Sequence, residues 1–261
     1  MATFKIEKTD RMIIKSDDQE EIEITRRAKF DSFNENILGL GKLESRSKQI
    51  NALSVFFDLE GFTNFCKQID PQLAVPEYLS EFLGWIFDEV RKSLVNKSYK
   101  EGYTLWSELP FQAKYLGDGI LFLWDTDTMS ENEINNVVVS MYDICQNYKA
   151  VFVPFISKRI TAPPHRLRCG IARGAIYTVG NGNDFVGPCI NVSARLQKLN
   201  SLGFCFSRRG INPGHMSEKY QQMFLTKSTD VRGVGSEELV CFEKNEFESL
   251  SKIDKDKFKD V

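Results

Sequence analysis

Asp58 and Asp118 are the residues whose type and setting point to chemistry, because each closes an apolar run and lies close to glycine. Two carboxylates on adjacent strand ends can hold two divalent cations, and such pairs stabilise both the attacking and the leaving oxygen in phosphoryl transfer. Five of the six residues from Ala52 to Phe57 are apolar, so this run reads as a buried strand that delivers Asp58 to a turn. Gly61 then permits a backbone path that other residues resist. A helix opening there would turn the unpaired N–H groups of Gly61, Phe62 and Thr63 toward a phosphate, with Asp58 holding a metal beside it. Taken singly, each signal has a plainer meaning. A strand-terminal Asp before a turn glycine also serves as a cap or turn residue, and Gly117-Asp118-Gly119 is a good hairpin tip.

A second pair sits further along. Asn191 and Arg195 are four residues apart in CINVSARL, hence on one face of a helix that follows the glycine-rich stretch GNGNDFVG. Such a pair is ordinarily solvated surface. Beside a phosphate, the arginine would neutralise the charge of a transferring phosphoryl group.

The elements that must position these residues follow from hydrophobic spacing. Leu79, Phe82, Leu83, Ile86, Val90 and Leu94 recur at three and four residues and predict an amphipathic helix with Pro76 near its start. The runs Phe111–Leu116 and Ile120–Trp124 predict a hairpin around Asp118. Glu131 to Phe152 predicts a second long helix with Ser130 as N-cap. HRLRCGIARGAIYTVG predicts another hairpin, turning at Arg173 and Gly174.

Composition bounds the rest. The 261 residues, 42% hydrophobic and 27% charged with a formal charge of -2, are those of a globular chain without a basic field for nucleic acid. No apolar run approaches the ~20 residues that span a bilayer, and the first residues lack the apolar core of a signal peptide, so a cytoplasmic location is expected. Six scattered cysteines without a C-x-x-C pair argue for reduced, buried thiols and against zinc. Residues 1–49 read as a mixed-charge arm, with Ile22, Ile24, Phe30, Phe33, Ile37 and Leu38 as its apolar positions and a packed helix as its expected form. A globular domain is expected over 50–247 and a charged tail over 248–261.

FFDLEGFT, KYLGDGILFLW and LRCGIARGAIYTVGNGNDFVGPCINVSARL, in this order and spacing, resemble the catalytic domain of class III nucleotidyl cyclases over roughly Leu53 to Phe242. The resemblance implies an α+β fold: the ferredoxin-like βαββαβ core, an antiparallel sheet flanked by helices. It implies a homodimer with active sites at the interface. In the family, the aspartates matching Asp58 and Asp118 hold two divalent metals, Mn²⁺ or Mg²⁺, with the backbone at Leu59 contributing. Leu59, Glu60, Gly61, Phe62 and Thr63 would surround the triphosphate. The partner subunit would supply Asn191 and Arg195 to orient the ribose and stabilise the transition state, and Arg232 matches a residue that holds the terminal phosphates. The implied reaction is attack of the ribose 3′-hydroxyl on the α-phosphate, giving a 3′,5′-cyclic monophosphate and pyrophosphate.

Two sets of residues divide the choice of base. Lys114 and Asp184 match the family's adenine-reading pair, which implies ATP. The short free-standing domain, its arm and the motif Phe87-Asp-Glu-Val-Arg91 instead resemble the stand-alone pyrimidine cyclases of bacterial antiphage systems. In those enzymes an aromatic-x-x-x-Arg motif is tied to base recognition, which implies UTP as substrate, cyclic UMP as product and a downstream effector that responds to it. A surface arginine late in a helix is the plainer account of Arg91. A non-catalytic nucleotide-binding module is disfavoured, since Asp58, Asp118, Asn191 and Arg195 are all present.

Overall fold

The computed structural model describes residues 11–15, 21–31, 38–43, 46–100, 103–106 and 109–261. In chain order its elements are β1 (Arg11–Lys15), β2 (Glu21–Thr25), α1 (Arg27–Asp31), β3 (Gln49–Glu60), α2 (Phe62–Phe65), α3 (Pro71–Ser93), β4 (Val95–Lys100) and β5 (Tyr103–Trp106). There follow β6 (Gln112–Tyr115), β7 (Gly119–Asp125), α4 (Glu131–Asn147), α5 (Val153–Ile156), β8 (Arg166–Val179), β9 (Asp184–Val186) and α6 (Pro188–Leu196). The chain ends with β10 (Phe204–Ser207), α7 (Glu218–Met223), β11 (Phe224–Val231), β12 (Gly235–Glu243), α8 (Lys244–Glu248), α9 (Lys252–Lys255) and β13 (Phe258–Lys259). Two compact units result: Met1–Lys48 with Tyr177–Val186, and Gln49–Ile176 with Gly187–Val261.

In the smaller unit, β1 and β2 form an antiparallel hairpin from Arg11↔Thr25 to Lys15↔Glu21. β9 pairs with the end of β8, Val179 opposite Asp184. The Thr178 N–H donates to the Lys48 carbonyl at 3.0 Å, and Thr178 Oγ1 accepts from the Lys48 N–H at 2.9 Å. The arm therefore carries a hairpin and the five-residue α1 where a packed helix was expected. Phe33 and Ile37 lie outside the described residues.

In the larger unit the strands run β13-β11-β12-β10-β8-β3-β7-β6. Its centre, β8-β3-β7-β6 with α3 between β3 and β6 and α4 between β7 and β8, is the expected βαββαβ core. β3 alternates: Leu53, Val55, Phe57 and Leu59 are buried against Tyr78, Phe82 and Ile86 of α3 and Ile134, Val138 and Met141 of α4. Each such phenylalanine contributes about 1.5–3 kcal/mol through burial. The other face carries Ser54, Phe56 and Asp58, and there α6 packs, with Ser54 Oγ 2.7 Å from Ser193 Oγ. Gly170 of β8 lies directly beneath α6, where a Cβ would collide with the Ser193 carbonyl oxygen and the Gln197 nitrogen.

Several local expectations are met. β6 and β7 pair antiparallel around the Asp118 turn, from Gln112↔Leu123 to Tyr115↔Ile120. Ser130 caps α4 through a complete capping box with Glu133. The helical path continues to Phe152 through a π-turn, where the Tyr148 hydroxyl donates to the Pro164 carbonyl at 2.6 Å. All six cysteines are free thiols, and all but Cys66 are buried. Among the described residues no helix is long and apolar enough to cross a membrane.

Two elements differ from expectation. β8 is one strand of 14 residues, not a hairpin: Gly174 does not take the left-handed conformation that a tight turn needs, and Arg173 is tied in place by Glu131 at 2.6 Å and the Gly210 carbonyl at 3.0 Å. α3 begins at Pro71 rather than near Pro76, because Asp70 at φ 56 breaks the chain and Pro71 presets the first helical turn. The charged stretch 248–261 folds onto the sheet, with β13 pairing β11 and Phe258 packed against Phe242.

Candidate active site

The pairing of β3 with β7 brings the two aspartates together. Asp58 stands opposite Gly119, and the Leu59 N–H donates to the Asp118 carbonyl at 3.0 Å. Asp58 is 4% exposed, so its carboxylate is nearly stripped of water. Burial pushes its carboxyl above the ordinary aspartate range, Lys198 pulls it back, Asp118 pushes it up again and Arg168 lowers it. Its direct counter-charge is Lys198 Nζ at 3.5 Å from Oδ1.

The turn after β3 is fixed by backbone conformation. Gly61 has φ 85, and a Cβ there would meet nothing within 4 Å, so conformation alone explains the glycine. Gly61 caps the four-residue α2, whose first N–H groups have no partner inside the helix. Glu60, the last residue of β3, is gripped by two arginines of β8: Arg168 pairs with Oε1, and Arg166 Nη1 lies 3.5 Å from Oε2. Burial raises the Glu60 carboxyl, but the hydrogen bond and charge of Arg168, with Arg166 behind it, hold it below the usual glutamate range. Arg166 also pairs with Glu246, which ties the corner to α8.

These residues suit a hard divalent cation. A buried carboxylate with a second one beside it, paired directly with one ammonium while its nearest arginine is already engaged by Glu60, is short of positive charge. Among the described residues there is no group of three or more His, Cys, Asp or Glu side chains placed to hold a metal ion by themselves. That donor set matches ions that take one or two carboxylates and complete their shell with water and substrate phosphates.

On α6, Ser193, Leu196 and Gln197 face the protein, while Asn191 and Arg195 are exposed. Neither of the latter makes an ion pair or side-chain hydrogen bond among the described residues. Within the chain, it is Lys198, just past the end of the same helix, that reaches Asp58.

The base-reading candidates are separated by the sheet. Lys114, Leu121 and Phe56 lie in one cross-strand row, so Lys114 shares the face of Asp58. Ala113, Phe122 and Val55 lie in the next row, on the opposite face. Phe87 packs its ring against Phe122 at 5.3 Å, and Arg91 donates to Asp88 Oδ1 at 2.7 Å. With Ala113 and Phe122 these residues line a cavity of about 330 Å³. Asp184 belongs to the smaller unit, where its Oδ1 accepts from the Phe185 N–H at 2.9 Å. Arg232 is exposed at the β11–β12 turn, and three strands, β12, β10 and β8, separate β11 from β3.

Sequence reasoning missed Lys198, Arg168 and the role of the Glu60 side chain. The available signals were the spacing of Lys198 from Arg195 and Asn191, three and seven residues, and the alternation of Arg166, Arg168 and Gly170 on one face of β8.

No protein-family model and no curated protein sequence matches the chain. Solved structures do. The adenylyl cyclase CyaB of P. aeruginosa is similar with a TM-score of 0.57 at 15% identity, over 77% of this chain and 96% of that one. The guanylyl cyclase Cya2 gives 0.55 at 15% identity, over 76% and 93%. The guanylate cyclase domain of RhGC from Catenaria anguillulae, solved in complex with GTP, gives 0.52 at 15% identity, over 76% and 98%. The fold is thus the one shared by adenylyl and guanylyl cyclase domains.

Proposed function

We propose that the protein is a nucleotide cyclase that acts as a homodimer in the cytoplasm and converts UTP to 3′,5′-cyclic UMP and pyrophosphate. Its product would signal to a cyclic-nucleotide-responsive effector in bacterial antiphage defence. The observation that carries the cyclase reading is the placement of Asp58 beside Asp118, on the sheet face where α6 packs, in a fold shared with adenylyl and guanylyl cyclases.

In this reading Asp58, Asp118 and the Leu59 backbone hold two divalent cations, Mn²⁺ or Mg²⁺. When bound, such ions acidify the ribose 3′-hydroxyl and offset charge on the leaving pyrophosphate. The backbone of Leu59, Glu60, Gly61, Phe62 and Thr63 wraps the triphosphate, and Arg232 serves its terminal phosphates. Asn191 of one subunit orients the ribose in the other's site, and Arg195 neutralises charge at the α-phosphate. The outward, unpaired state of both side chains supports their delivery to a partner subunit.

For the base, Phe87 and Arg91 are the pyrimidine reader, Phe87 as an apolar wall and Arg91 as donor to a carbonyl edge; because the cavity they line lies on the sheet face opposite Asp58, they would serve the site of the partner subunit. A second reading, adenylate cyclase, is favoured by Lys114, which shares the Asp58 face. Incubation with each of the four nucleoside triphosphates and Mn²⁺, followed by identification of the product, tests both. Preferential formation of cyclic UMP is expected. Preferential cyclic AMP establishes the second reading, and no cyclic product from any of the four refutes both.

A further inference from the structure

Two cations act on the Asp58 carboxylate, and they differ in freedom. Arg168 is held by its ion pair to Glu60, with a side chain 19% exposed. Lys198 touches Asp58 from a stem that is 60% exposed, on the turn that follows α6, where its backbone N–H is tied to the Arg195 carbonyl at 3.1 Å. The fixed arginine therefore belongs to the scaffold. The lysine can leave at little cost, because its ammonium has water available on the outer side.

We propose that Lys198 is a displaceable counter-ion, which holds the place of a divalent cation at Asp58 and must be expelled for the metal to load. The proposal rests on the reading of Asp58 as a metal ligand. An ammonium 3.5 Å from Oδ1 lies where a cation bound to that oxygen would have to sit close by, and two like charges on one carboxylate repel. A divalent ion brings twice the charge of the ammonium to a carboxylate that is short of solvent, so it prevails when abundant. At low metal the lysine keeps Asp58 neutralised and prevents the paired aspartates from repelling. Lys198 thus sets the metal concentration at which the site fills, and it does so before any nucleotide is present.

The test is Mn²⁺ binding to the full chain without nucleotide, read by electron paramagnetic resonance of the free ion at fixed ionic strength. Lys198→Gln removes the competing charge at an exposed position, so the variant should keep its fold and bind Mn²⁺ about fivefold more tightly than wild type, the size of a weakened half-exposed ion pair. Lys158→Gln, which removes the same charge elsewhere on the surface, should leave the affinity unchanged. Lys198→Arg keeps the charge and should stay near wild type. If Lys198→Gln binds no more tightly than wild type, including the case in which neither binds, or if Lys158→Gln tightens binding equally, the proposal is overturned. Asp58→Ala separates the two levels of inference: retained tight Mn²⁺ binding in that variant refutes the metal-ligand reading itself, whereas lost binding with an unchanged Lys198→Gln refutes the counter-ion alone.

Discussion

Ser54 of β3 and Ser193 of α6 share a hydrogen bond of 2.7 Å in the interior, and this contact fastens the strand that carries Asp58 to the helix that carries Asn191 and Arg195. Ser193 also donates toward the Ile190 carbonyl at 3.0 Å, so the two hydroxyls form a short buried chain. Removing Ser193 leaves the fully buried Ser54 hydroxyl without that partner, at a cost of about 1–3 kcal/mol. Gly170→Ala acts on the same junction by collision with the backbone of α6 and has no rotamer that avoids it. Urea unfolding should show Gly170→Ala destabilised more than Ser193→Ala. Equal midpoints for Gly170→Ala and wild type would show that α6 is free to lift away.

The cap of α4 gives a pH-dependent signature. Glu133 accepts from the Ser130 N–H at 2.7 Å and from the Ser130 hydroxyl at 2.8 Å, and these bonds hold its carboxyl below the usual glutamate range. A depressed carboxyl contributes stability above its unfolded value of 4.5, and that contribution disappears as pH falls through the lower, folded value. Glu133→Gln, which can still close the capping box but loses the charge, should therefore be destabilised relative to wild type at pH 7 by about 0.3–1 kcal/mol, the worth of a carboxylate in a first helical turn, and the gap should narrow as pH falls below 4.5. A gap that persists undiminished in acid would assign the loss to packing.

How far the sequence disclosed this molecule depended on the range of the interactions. The strand that carries Asp58, the Gly117–Gly119 tip and the Ser130 cap are encoded within a few residues, so they were readable, although the strand runs on to Glu60, two residues past the expected end. Whether Arg173-Gly174 turns or runs straight depends on Glu131 and Gly210, distant in the chain, and local turn chemistry gave the wrong answer there. Lys198 was invisible for a related reason. Its spacing from Asn191 and Arg195 places it on their side of the helix, but only the packing of α6 on β3 makes it the neighbour of a carboxylate 140 residues earlier in sequence.

The aspartates and the helix pair should be separable by mixing. Asp58→Ala and Asp118→Ala should each lose cyclase activity by at least about a thousandfold while remaining folded, since each takes away a group that carries charge during transfer. Arg195→Ala should be similarly inactive. Combining Asp58→Ala with Arg195→Ala subunits should restore up to half of the wild-type activity per heterodimer, because one site then draws an intact aspartate and an intact arginine from different chains. Heterodimers that form, as shown by differential tagging, yet stay inactive would mean that each site is built within one chain.

The separation of Lys114 from Phe87 and Arg91 by the sheet makes the choice of base testable one side at a time. Lys114 stands on the Asp58 face, and Arg91 lines a cavity on the other, held to Asp88 by a pair whose side chains are 60% and 53% exposed. An exposed pair of this kind is worth at most about 1 kcal/mol, so Arg91 can exchange Asp88 for a substrate carbonyl with little penalty. A uracil presents two carbonyl acceptors, which an arginine that is always charged can satisfy and a phenylalanine one turn earlier can flank. Losing such a contact to a substrate base costs on the order of 1–3 kcal/mol in recognition, a factor of roughly 5 to 150 in kcat/KM. Arg91→Ala should thus lower kcat/KM for UTP by that factor while its thermal midpoint stays within about 2 °C of wild type, as expected for an exposed site. Lys114→Ala should affect UTP less. An adenylate cyclase would show the reverse, with ATP preferred by the wild type, Lys114→Ala crippled and Arg91→Ala unaffected, and the full four-nucleotide profile of the three proteins tells these two outcomes apart.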